Sequence, residues 1–108
     1  MACQQVSLLA WFKDHYREVY DNIQYAFSVK DYVRFRLTGE AYSEATDISG
    51  SGLMDVKNAR FDRDILEKLG IGEAYDMLPP IRYSYDLCGT ISEEASVLTG
   101  LPEGTAVA

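Results

Sequence analysis

Three segments of the chain open on a helix-capping residue and close on a glycine: Ser28 to Gly39, Asp62 to Gly70 and Ser92 to Gly100. This punctuation limits what the chain can build. A serine or aspartate side chain accepts hydrogen bonds from the free amides of a first helical turn, and glycine readily takes the left-handed conformation that ends the last one. Each helix therefore has its own start and stop, and each is short. In 28–38, SVKDYVRFRLT, Val29, Tyr32, Val33 and Leu37 share a stripe, the expected packing face, while Lys30, Arg34 and Arg36 fall mostly outside it. Asp31 sits at the third helical position as a weaker form of the capping-box acid. The two arginines lie near the end where the helix dipole favours cations. The helix after Asp62 offers Ile65, Leu66 and Leu69; the one after Ser92 offers Ala95 and Leu98, with Glu93 and Glu94 at its positive end.

A fourth helical pattern, 6–16, places Leu8, Trp11 or Phe12, and His15 on one face with Leu9, Phe12 and Tyr16 beside it. Ser7 is a weak candidate cap, and a break is expected around 20–22. Glu40 to Ala45 alternates loosely, as a short edge strand would, and LMDV reads as a second strand followed by a turn, KNARFD. The proline pair in MLPPI stops any helix and favours extended backbone before it. SYDLCGTI reads as an extended, turn-containing connection, and GTAVA as the start of a strand. The expectation is four helices and a few short strands: an α+β, mainly helical architecture.

With 108 residues, 47 % hydrophobic and 25 % charged, the chain has material for one folded domain. A net charge of -7 repels phosphate backbones and argues against a nucleic-acid partner, although a local nest of amides could still hold a small phosphorylated ligand. Cys3 and Cys88 lack C-x-x-C spacing and read as reduced thiols, with a single disulfide formally open. The N-terminus has no signal-peptide pattern, and no apolar run approaches the length of a membrane span. The chain starts inside a helical pattern and stops as a strand begins, so a piece of a larger domain is expected.

His15, the only histidine, is expected to pack partly buried against Trp11, and no metal-ligand spacing is present. Asp62 and Asp64 form D-R-D, but the first is better used as a cap and the interleaved ligands of a calcium loop are missing. The glycines and serines of TDISGSGLMD (46–55) lack both the P-loop and the G-x-G-x-x-G patterns, so a polar turn is expected in which Thr46, Asp47 and Ser49 bond local backbone. The 8 tyrosines lack the interleaved basic residues of a base-stacking groove and suit mixed core and interface use. No nucleophile–base–orienter set can be assembled.

The segments SLLAWFKDH (7–15), KDYVRFRLTGE (30–40), TDISGSGLMDV (46–56), FDRDILEKLGI (61–71), LPPI (78–81) and CGTISEEASVLTGLPEGTAV (88–107) run in one order over nearly the whole chain. In that order the chain resembles the FGGY carbohydrate kinases. SLLAWFKDH looks most like the xylulose and L-xylulose kinase branch. The family signature usually has a lysine three residues before Trp11, where this chain has Leu8.

The resemblance implies a mainly helical fragment of a ribonuclease H-like α/β domain of the actin-like ATPase superfamily. It implies a cytoplasmic parent that uses ATP and Mg²⁺ to phosphorylate a sugar such as xylulose or L-xylulose. By the same resemblance, residues 1–108 are part of the N-terminal domain, without its first strands and without the C-terminal domain. The family's D-x-G-T phosphate element, its G-x-x-D base and its principal sugar contacts fall outside that span. No catalytic, substrate-binding, cofactor-binding or metal-binding residue is therefore expected within 1–108. The isolated chain is expected to be inactive, to hold neither ATP nor Mg²⁺, to avoid nucleic acid and membranes, and to self-associate through exposed core surface. The alternative is an independent protein-interaction module without catalysis.

Overall fold

The computed structural model describes residues 4–108, so Cys3 lies outside the described residues. Helix α1 (Gln5–His15) and the one-turn α2 (Arg17–Asp21) lead into an irregular stretch and then α3 (Val29–Thr38). Strand β1 (Ser43–Glu44) runs directly into α4 (Ala45–Ile48). A small hairpin, β2 (Met54–Asp55) and β3 (Arg60–Phe61), precedes α5 (Arg63–Lys68) and a 3-10 segment, Gly72–Met77. The chain closes with β4 (Ile81–Arg82), β5 (Gly89–Thr90), α6 (Glu93–Thr99) and β6 (Ala106–Val107). The architecture is α+β and mostly helical. Among the described residues six strands pair two by two: β1 with β4 in parallel, and β2 with β3 and β5 with β6 antiparallel.

The caps behave as their chemistry demands. Asp62 accepts from the amide of Ile65 and Ser92 from that of Ala95. Gly39, Gly70 and Gly100 follow their helices at φ 74–81°. Ser28 occupies the cap position of α3, but its hydroxyl donates to Asp31 rather than accepting from the backbone. Ser7 lies inside α1; Gln4 is the cap residue, and its side chain makes no capping bond to the helix amides. The break after α1 falls at Tyr16, and residues 17–21 form a further helical turn.

One cluster makes the main core: Val6 and Leu9 of α1, Tyr20 of α2, Leu53 before the hairpin, Leu66 of α5, and Ile71, Ala74 and Met77 around the 3-10 segment. Lys13 ties α1 to this unit through Glu73 and the carbonyl of Gly70. The Tyr20 hydroxyl is enclosed there; burial first, then the nearby Glu73 charge, push its pKa to about 12. A second cluster holds the irregular stretch onto α3, where Phe27 stacks on Phe35 at 5.2 Å and lies 5.5 Å from Tyr25.

Several stripes face the other way from their helical periodicity. On α3 the buried residues are Asp31 and Arg34, while Val29 is 84 % exposed and Val33 52 %. On α6 only Ala95 is buried and Leu98 is exposed. On α1, Leu8 and Trp11 are exposed; Ile65 of α5 and Leu69 just after it are exposed, and of that helix Leu66 enters the core. The physical reason is common to all four. Periodicity identifies an apolar face, but burial needs a partner surface, and the short strands supply too little of one. Among the described residues, no helix is long and apolar enough to cross a membrane.

Candidate functional site

The most highly organised polar cluster joins the start of α3 to β1 and α4. Asp31 and Arg34 lie one turn apart on α3, an i,i+3 spacing that puts them on the same side of the helix. That side meets β1, so both are buried together with Ser43 and Glu44. Asp31 Oδ1 accepts from Arg34 Nη2 at 2.9 Å, and its Oδ2 accepts from the Ser28 hydroxyl at 2.9 Å and the Glu44 amide at 3.1 Å. Arg34 Nη2 also donates to the carbonyl of Tyr42 at 2.9 Å. A buried charge is tolerated only when it is paired and hydrogen-bonded, and Asp31 meets both conditions.

Glu44 is the second anchor. Its Oε2 accepts from Lys30 Nζ at 2.8 Å, from the Thr46 hydroxyl at 2.7 Å and from the Asp47 amide at 3.2 Å; its Oε1 accepts from the Thr46 amide at 2.9 Å. Burial by itself would push this carboxyl up. The hydrogen bonds from Lys30, the Thr46 hydroxyl and the two amides outweigh burial and bring the pKa down to about 2. Lys30, Arg34, Glu44, Ser84 and Ala108 line an open recess of about 230 Å³ beside this network.

Chemically the cluster is a fastener. A general base needs a pKa near the working pH and an oxygen free to take a proton. Glu44 stays ionised far below neutrality, and the Asp31 oxygens are already engaged by three donors. The network instead locks the KDY segment of α3 to the TD-x-S segment of α4.

The rest of TDISGSGLMD is equally structural, with one correction. Glu44, rather than Thr46 or Asp47, caps the turn that the latter two begin. Ser49 does bond local backbone, donating to the Thr46 carbonyl at 2.7 Å, and Ser51 donates to the carbonyl of Ile48. The glycines then bring the loop against the start of α1. The Gly50 carbonyl accepts from the Gln4 side chain at 3.3 Å, and that of Ser51 from the Val6 amide at 3.2 Å. Gly52, at φ 79°, passes so near Val6 that an added Cβ would lie 2.8 Å from its Cγ1. The Ser51 carbonyl thereby takes one of the free amides at the start of α1.

The other sequence candidates stay apart from this cluster. His15 is exposed rather than partly buried; its ring stacks on Trp11 at 4.7 Å, and its Nδ1 donates to the Trp11 carbonyl at 3.0 Å. Asp62 serves as a cap, and with Asp64 it borders a recess shared with Arg60 and Arg63. Among the described residues, no group of three or more His, Cys, Asp or Glu is placed to hold a metal ion. Of the 8 tyrosines only Tyr20 is fully buried, and Tyr83 stacks on Tyr85 at 5.5 Å near the surface. Cys88 is a buried free thiol. Sequence reasoning missed Glu44 and set Arg34 outside the packing face; the available signal was the Asp31–Arg34 spacing.

Residues 1–108 match the N-terminal domain of the FGGY family of carbohydrate kinases. The chain is 39 % identical over 102 residues to a protein described as a probable L-xylulose kinase of Pasteurella multocida, covering 94 % of this chain and 21 % of the relative. It is also 39 % identical to the L-xylulose/3-keto-L-gulonate kinase of Escherichia coli K12, covering 94 % of this chain and 20 % of that one. Among solved structures, the xylulose kinase of Rhodospirillum rubrum superposes with a TM-score of 0.88 at 25 % identity, over 99 % of this chain and 22 % of its own. The gluconate kinase of Lactobacillus acidophilus gives 0.85 at 27 % identity, over 97 % and 21 %. The chain thus spans about one fifth of the length of the relatives it matches. On a match that runs through all of its residues, the chain belongs to the FGGY family of carbohydrate kinases.

Proposed function

We propose that residues 1–108 are part of the N-terminal domain of a longer ATP-dependent carbohydrate kinase, which transfers the γ-phosphoryl group of ATP to a hydroxyl of a ketopentose, xylulose or L-xylulose. The observation that carries this reading is the continuous likeness to L-xylulose kinases over nearly the whole chain. Phosphoryl transfer depends on Mg²⁺, positioned phosphates and an oriented hydroxyl. The buried carboxylates of Asp31 and Glu44 do not fit a Mg²⁺ site, because their oxygens are occupied by internal donors. In this reading ATP, Mg²⁺ and the sugar are held by polypeptide outside 1–108, and the network holds α3 to β1 and α4.

The isolated 108-residue chain is then inactive. Loss of a general base alone costs roughly 10²–10⁴-fold in rate, and the nucleotide and sugar contacts are absent with it. The test is an assay of the purified chain with ATP, Mg²⁺ and D- or L-xylulose. No turnover above a protein-free blank is expected, and measurable turnover would refute the proposal. The isolated chain also self-associates, because apolar surface of this extent is a standing invitation to contact.

A further inference from the structure

We draw no further inference here: the strongest candidate, the open recess beside α3 and β1 lined by Lys30, Arg34, Glu44 and Ser84, belongs to the site already described, where Glu44 and Asp31 balance its two cations, and nothing in the structure shows what fills it.

Discussion

Glu44 joins two stretches that the chain presents separately: it accepts from Lys30, fourteen positions upstream, and from the turn that immediately follows it. Its folded pKa, about 2, lies below the ordinary value of 4.5. A carboxylate depressed in this way stabilises the fold fully above its unfolded pKa and loses that contribution as pH falls through the folded one. Stability should therefore decline between about pH 4.5 and 2 with a Glu44 share on the order of 3 kcal/mol. Chemical denaturation across that window checks the prediction: Glu44→Gln should be less stable at neutral pH and show a shallower decline. An unchanged slope would contradict the assignment. Gly52 gives a second test at this scale. Gly52→Ala combines a left-handed backbone with a 2.8 Å approach to Val6, and should cost about 1–3 kcal/mol. A neutral effect in thermal melts would mean that the loop does not press on α1 as described.

The elements divide sharply into what local chemistry determines and what it leaves open. Asp62 and Ser92 cap where their side chains suit the role, and Gly39, Gly70 and Gly100 end helices, because a cap needs only its own backbone within three residues. Ser92→Ala should accordingly cost about 1 kcal/mol, read as a lower denaturation midpoint at unchanged slope. The burial of α3 was not legible. Its valines look inward by periodicity, yet Asp31 and Arg34 occupy the interior, because β1 brings the Glu44 amide to that side and leaves the valines exposed. Glu44 escaped notice because glutamate is not a usual cap residue and because its one distant donor, Lys30, lies fourteen positions upstream. The contrast is measurable: Leu66→Ala, in the core, should cost about 2–5 kcal/mol, whereas Val33→Ser should change monomer stability by less than about 0.5 kcal/mol. Comparable losses would show that α3 is packed on both sides.

At the scale of the whole molecule, shape and ancestry agree. The radius of gyration is 15.1 Å, against about 13 Å for a compact domain of this length. The principal extents are 44 × 33 × 21 Å. The chain is a flat assembly of short elements around one modest core, with large apolar residues such as Val29, Val97 and Leu98 left exposed. The family relationship was legible because FGGY motifs recur in order along the chain, and the fold of solved relatives follows it closely. The reaction was not legible from geometry, because the residues gathered most tightly here are engaged in holding segments together.

The most direct test compares ADP release by the 108-residue chain with that of a full-length protein carrying it, each supplied with ATP, Mg²⁺ and L- or D-xylulose. The account predicts sugar-dependent turnover by the full-length protein and none above the blank by the 108 residues alone. Turnover by the short chain, or none by the full-length protein with either sugar, would contradict it.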